Sequence, residues 1–252
     1  MTSFSTKATW QWLTRQNSSY LTCSLLERWT HGFFTRNFHP AGPSDLVSFL
    51  DPNASVAQLK QIHGNLVWTP NEVKEPLTQG DGLLSDGLRQ SLWVASADCT
   101  PAMVGDINTG RVAAVHAGWR GTAQKILPVT VSRFISDGSH LQDLRVALGP
   151  AISGEVYQVG LEVAQQVSAS LDSLVDLQDL ASLSPCPILN DPQAGKVKLD
   201  IRYINFHQML EIGLLPEQIS LAPYCTYQDK GSFFSYRRTG DKQVQWSGIV
   251  SL

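Results

Sequence analysis

Long apolar runs are missing from this chain: the longest uninterrupted ones are a handful of residues, against about 20 needed to cross a bilayer. Residues 1–15 have no apolar core of the kind an export signal carries, so a soluble, cytoplasmic protein without a membrane partner is expected. Charge is sparse and nearly balanced, with 19 basic and 22 acidic side chains in 252 residues and a net charge of −3. That excludes the basic footprint needed to hold a phosphate polymer, and no nucleic-acid partner is expected. Cysteine is scarce too. The four residues at 23, 99, 186 and 225 show no close pair and no Cys-x-x-Cys spacing, which argues against a disulfide framework or a zinc-finger cage. A functional cysteine should therefore act singly. Repeats, low-complexity tracts and charge blocks are absent, and no linker divides the chain, so residues 1–252 are read as a single domain.

What is present alternates between strand-like and helix-like periodicity, as in a mixed α and β fold. The first 26 residues contain no acid and only Lys7 and Arg15 as bases. An organelle transit peptide would have that composition, but Tyr20–Leu26 has the content of an ordinary strand. Residues 91–97 read as a buried strand ending at Asp98-Cys99-Thr100-Pro101. Residues 102–106 and 111–116 then form a hairpin about the Asn108-Thr109-Gly110 turn. Thr122 is expected to cap a helix to about Ser136 that Pro128 kinks or shortens. Residues 144–148 read as a strand, and Val159, Val163, Val167 and Leu171 as one core-packing helical stripe. A proline-rich surface loop is expected over 180–196. Asp200 should cap a last helix over 201–212 that stops at Gly213, and residues 219–222 and 233–236 should be terminal strands.

Six histidines occur, at 31, 39, 63, 116, 140 and 207. Two stand out. His63 precedes a glycine that permits close backbone approach, and His116 ends the hairpin and opens a Gly-Trp-Arg-Gly loop. Cys99 ends the preceding strand just after an acid, so a hairpin that returns to its own edge would bring Cys99 and His116 to the same end of a sheet. Two chemistries fit these residue types. One is a thiolate–imidazole nucleophile pair; the other is a His63-Cys99-His116 zinc set with a fourth position open to water. The separations of 36 and 17 residues match no metal motif and leave both open.

At these residues the chain resembles the YfiH-like family, also described as the multicopper polyphenol oxidase (laccase) domain, purine nucleoside phosphorylase or peptidoglycan editing factor family. The resemblance is carried by His31-Gly32-Phe33-Phe34-Thr35-Arg36, Gln61-Ile62-His63-Gly64, Gly80-Asp81-Gly82, Ala97-Asp98-Cys99-Thr100-Pro101, His116-Ala117-Gly118-Trp119-Arg120-Gly121, Leu148-Gly149-Pro150-Ala151-Ile152, Val159-Gly160-Leu161-Glu162-Val163 and Phe233-Phe234-Ser235-Tyr236-Arg237-Arg238. It implies an α+β, single-domain α/β/β/α sandwich with a cysteine-hydrolase-like fold, and a metal held by His63, Cys99 and His116. The activities it implies are phosphorolysis of adenosine, inosine, guanosine and methylthioadenosine, and deamination of adenosine. Two departures bear on substrate preference: Asn37–Pro43 replaces the family's Gly-Gly-x-Ser loop, and Val244–Gly248 stands where a C-terminal Gly-Arg is usual.

The leading expectation is a zinc-dependent nucleoside enzyme taking a nucleoside and phosphate, as a monomer or homodimer. Asp98, Cys99 and His116 are its candidate catalytic residues, with Asp98 a proton carrier in deamination. Arg120 and Arg36 are candidate phosphate partners, and Trp119 is either a base-stacking surface or a packing plug. Copper is the alternative metal, since it outranks zinc in intrinsic affinity. Laccase chemistry ranks lower because the chain has no His-x-His pair to hold a trinuclear cluster. The alternatives are a Cys99–His116 amide hydrolase acting on cell-wall precursors, and a non-catalytic binding module. Of the adjacent Arg237 and Arg238, placed on a strand, at most one can face a pocket. Cys225 is read as a buried structural thiol.

Overall fold

The computed structural model describes residues 8–74, 78–172 and 176–252; the start of the acid-free N-terminal segment, with Lys7, lies outside them. Along the chain the elements are β1 (Trp10–Arg15), β2 (Ser18–Cys23), β3 (His31–Phe34), α1 (Pro43–Leu50), β4 (Ser55–Gln58), β5 (Val67–Trp68), β6 (Gly82–Leu84), β7 (Gln90–Ser96), β8 (Thr100–Asp106) and β9 (Val112–Ala117). They continue with α2 (Trp119–Ala123), α3 (Ile126–Ser136), β10 (Leu144–Leu148), β11 (Gln158–Gly160), α4 (Leu161–Ser168), β12 (Ile188–Asn190), β13 (Lys196–Leu199), α5 (Ile201–Glu211), β14 (Ile219–Leu221), α6 (Tyr236–Thr239) and β15 (Gln245–Val250).

Two mixed six-stranded sheets, ordered β1-β2-β3-β15-β7-β4 and β14-β10-β8-β9-β6-β5, pack face to face. The period-2 alternation of the strands shows directly in the packing. Val112 and Ala114 of β9, Met103 of β8 and Ala147 of β10 enter the core between the sheets, with Leu92, Val94 and Ile249 opposite. Their neighbours Ala113, Val115, Ala102, Val104, Val146 and Leu148 face outward, under α3 and α5. On the far side Trp93 and Phe34 pack beneath α1 with Leu46 and Val47. The layers are therefore α/β/β/α, and the strands β8 and β9 at the middle of the second sheet are buried throughout.

Several local expectations change. The helix expected from Thr122 begins earlier, with Gly118 at its N-cap, and breaks after Ala123 because Lys125 adopts left-handed backbone at φ 58°. Pro128 is then the third residue of α3, where a missing N–H costs no helical bond. Val159 lies on β11, and α4 starts at Leu161, yet Val159, Val167 and Leu171 share one core with Val163 packed against it. Residues 180–196 are not a plain loop: they include β12 and lead into β13, which lies between β12 and β11 in a small third sheet. Residues 233–236 form no strand but lead into α6, and the terminal strand is β15 instead. The Asp200 cap is as expected, its carboxylate accepting the Arg202 N–H at 3.0 Å, and Gly213 ends that helix region at φ 99°. All four cysteines are free. Cys225 is buried, its sulfur accepting the Ser153 N–H.

Phe134, 0% exposed between α3 and the second sheet, tests the packing. Phe134→Ala should lower unfolding free energy by about 3–5 kcal/mol; urea denaturation checks this, and a loss below about 1 kcal/mol would contradict the assigned core.

Candidate metal centre

The site is built where three chain turns meet at one end of the β8–β9 hairpin. Antiparallel register sets Thr100 opposite Ala117 and Pro101 opposite His116, so Cys99, one residue before β8, falls beside the end of β9. The turn before it carries Asp98 at φ 96°, a conformation costly for a residue with a Cβ. Three hydrogen bonds offset that cost. The Asp98 carboxylate accepts Thr226 O–H and the Arg237 backbone N–H, both at 2.7 Å, and its carbonyl accepts the Ile152 N–H at 3.0 Å.

His63 also has left-handed backbone, at φ 61°. Here the compensation is Asp81, 0% exposed, whose carboxylate accepts the backbone N–H groups of Ile62, His63 and Gly64 at 3.1, 2.9 and 2.8 Å. The same carboxylate meets His116 Nδ1 at 2.8 Å, and the Asp81 carbonyl accepts the His116 N–H at 2.7 Å. One acid thus fixes the turn of one histidine and the ring of the other, leaving His116 Nε2 as the ring nitrogen free to act as a ligand.

His63, Cys99 and His116 offer ligand atoms that all lie within 4.8 Å of one another, the one such cluster of His, Cys, Asp or Glu among the described residues. Two imidazoles and a thiol are zinc-compatible donors. Two glycines keep the gap closed. A Cβ on Gly118 would stand 2.9 Å from Cys99 Sγ and 3.3 Å from His63 Cδ2, and one on Gly121 would stand 2.7 Å from the Gly64 carbonyl.

The electrostatics follow from the same contacts. Burial pushes the Cys99 thiol up, but the His116 charge and hydrogen bonds from His116 and His63 outweigh it, bringing it from 9.0 down to about 6. Burial disfavours His116 as a cation, but the Cys99 charge and the Asp81 bond reverse that and raise it from 6.5 to about 9. Burial would raise Asp81, while bonds from His116 and Gly64 hold it below the ordinary carboxylate value. Cys99 and His116 therefore behave as a coupled thiolate–imidazolium pair in the absence of metal.

A cavity of about 690 Å³ opens over the three donors, and Asp98 and Arg120 also line it. The Arg120 guanidinium lies over the Trp119 ring at 4.2 Å, so one face of that tryptophan is covered, and the ring packs on the α4 core. Arg36 is elsewhere: its guanidinium sits over Phe234 and donates to the Lys230 carbonyl, and it does not line the cavity. Of the adjacent arginines only Arg237 reaches the cavity. Arg238 is spent on the carbonyls of Thr226, Tyr227 and Phe233, and the pair sits on α6 rather than on a strand.

Residues the sequence reading left out of the site are Asp81, Tyr157 and Trp246, the last two lining the cavity. Asp81 had a visible signal, an acid between two glycines within a motif of the resemblance. Trp246 sat in the Val244–Gly248 departure noted for substrate preference; Tyr157 had no signal beyond being aromatic.

Residues 45–251 match the family described as multi-copper polyphenol oxidoreductase laccase. A protein of Synechocystis sp. named purine nucleoside phosphorylase is 49% identical over 256 residues, covering 96% of this chain and 97% of the relative. A protein named adenosine deaminase RL5, from an unknown prokaryotic organism, is 31% identical over 147 residues, 58% of this chain and 52% of its own. YlmD from Geobacillus stearothermophilus shares the fold at TM-score 0.80 and 23% identity, over 95% of this chain and 98% of that one. YfiH from Bacillus licheniformis does so at TM-score 0.79 and 23% identity, over 96% and 98%. By this coverage and identity the chain belongs to the multi-copper polyphenol oxidoreductase laccase family, the YfiH-like proteins that its sequence motifs resemble.

Proposed function

We propose that the protein is a zinc-dependent purine nucleoside phosphorylase acting on adenosine, inosine, guanosine and methylthioadenosine, with adenosine deamination as a second reaction. The observation that carries the reading is the His63-Cys99-His116 cluster at the floor of a cavity of about 690 Å³, a size suited to a nucleoside. The relatives named for these two reactions support it. So does the donor count: a four-copper oxidase needs several clusters, and one is found among the described residues.

His63, Cys99 and His116 would hold the metal, with Asp81 fixing the His116 ring and the backbone turn that carries His63. When bound, zinc supplies Lewis acidity and an exchangeable fourth position. In phosphorolysis a phosphate oxygen bonds to C1′ of the ribose while the glycosidic C–N bond breaks, its electron pair passing to the purine. Arg120 binds the phosphate through charge-assisted hydrogen bonds, and Trp246 offers a partly exposed ring to the base. Asp98 holds Cys99 in place, each carboxylate oxygen accepting one bond, and keeps lone-pair sites that could carry a proton. The substrates are small molecules of the cytoplasm, and residues 1–252 act as one domain, as a monomer or homodimer.

One observation favours a second reading. The depressed thiol of Cys99 beside a protonated His116 is the pair a cysteine amide hydrolase uses.

Purified protein should carry about one zinc per chain. His116→Ala should lower phosphate-dependent release of base from inosine by at least about a hundredfold while the far-ultraviolet circular dichroism is unchanged, since removing a ligand costs more than the 10–100-fold of losing its outer partner. Wild-type rates in the variant would remove this mechanism. Alkylation by iodoacetamide separates the second reading. In chelator-treated protein its rate should rise through pH ~6, not ~9, because the thiolate is the nucleophile and Cys99 titrates at about 6. Zinc-loaded protein should be protected; equal alkylation with and without chelator would favour the hydrolase.

A further inference from the structure

Three cavity side chains have polar capacity that no group among the described residues uses. Arg120 makes no side-chain hydrogen bond and no ion pair among the described residues; its contact is the Trp119 ring. Arg237 likewise has no carboxylate partner there. Its guanidinium lies 4.7 Å from the centroid of the Tyr157 ring and spends one nitrogen on the Gln158 carbonyl at 2.7 Å, leaving the other N–H groups free. The Tyr157 hydroxyl has no hydrogen-bond partner among the described residues, although its backbone is pinned at both ends: its N–H donates to the Ser153 carbonyl and its carbonyl accepts the Leu199 N–H, each at 3.0 Å. All three side chains line the cavity above the metal donors.

Two guanidiniums with no ion-pair partner among the described residues and a free phenol O–H, in a cavity that Asp98 and Asp241 also line, make a set of donors with unused N–H and O–H groups. Stacking each arginine on a ring fixes the plane of its fork, so less freedom is lost when an oxyanion is bound in bidentate fashion. Arg237 has a further tie to the site, since its backbone N–H is one of the bonds holding Asp98 beside Cys99.

We propose that Arg237 and Tyr157, with Arg120, form the oxyanion subsite of the cavity and that its occupant is inorganic phosphate. The subsite rests on the phosphorylase reading for its occupant, and on the unpaired donors for its existence. Arg237 supplies the second guanidinium that sequence reading assigned to Arg36. Tyr157 donates its O–H as a neutral group that selects for an acceptor oxygen.

The test uses Arg237→Gln, Arg237→Lys and Tyr157→Phe in zinc-loaded protein, all of which keep the backbone N–H that Asp98 accepts. Steady-state rates with inosine are read against phosphate and against nucleoside, and inorganic phosphate binding is measured by calorimetry at constant ionic strength. Arg237→Gln should raise the phosphate KM about tenfold or more, and Tyr157→Phe about three- to tenfold, with inosine KM and zinc content unchanged. Arg237→Lys should recover only part of the loss, because a point charge replaces a fork. Unchanged phosphate KM in Arg237→Gln, or equal rises in both KM values with loss of zinc, would overturn the proposal and leave the phosphorylase reading standing. If wild-type protein shows no phosphorolysis yet binds phosphate, and Arg237→Gln abolishes that binding, the subsite stands and the phosphorylase reading falls.

Discussion

A single buried carboxylate holds the centre together. Asp81 is fully enclosed and accepts three consecutive backbone N–H groups, from Ile62 to Gly64, while binding His116 through Nδ1. Burying an acid is costly unless its lone pairs are used, and here four donors use them. The result is that two histidines, far apart in the chain and on different turns, share one anchor. Without it nothing among the described contacts would keep His63 at its left-handed backbone angle, and the His116 ring would lose the bond that decides which nitrogen faces Cys99.

The sandwich supplies the frame against which that anchor works. Because β8 and β9 are central in their sheet and packed on both faces, the register that sets Cys99 beside His116 cannot slip without turning the core side chains outward. The turns around the site then tolerate unusual backbone, at Asp98 and His63, since each is tied to elements that do not move with it. Small residues complete the fit: Gly118 and Gly121 allow the Cys99 and His63 turns to approach closer than any side chain would permit. The cavity above inherits a division of labour, with metal donors at its floor and, on its wall, two arginines that have no ion-pair partner among the described residues.

Much of this was legible in the sequence. The hairpin around Gly110 and the Asp200 cap follow from periodicity and turn chemistry and occur where expected, while the grouping of His63, Cys99 and His116, which spacing left open and the family resemblance implied, appears as a cluster of ligand atoms. What escaped depended on tertiary contacts. Nothing local marks Lys125 as the residue that breaks the helix after Ala123, nor shows that Phe233–Tyr236 would lead into α6, where Asp98 and Ser235 accept the Arg237 and Arg238 backbone N–H groups, instead of forming a strand. Arg36 had the right charge but a neighbouring Phe234 and a carbonyl to bind. Asp81 was visible as an acid between glycines; its role was not, because each of its partners lies 17 to 35 residues away.

The dependence of the site on Asp81 can be measured through zinc affinity, by competition with a chelator, in wild-type protein and in Asp81→Asn, with circular dichroism to confirm that both are folded. The carboxamide presents one acceptor oxygen to groups that now share two and cannot supply the same charge to His116. Affinity should therefore fall about 10–100-fold in the folded variant, and an affinity equal to wild type would contradict the role assigned to this carboxylate.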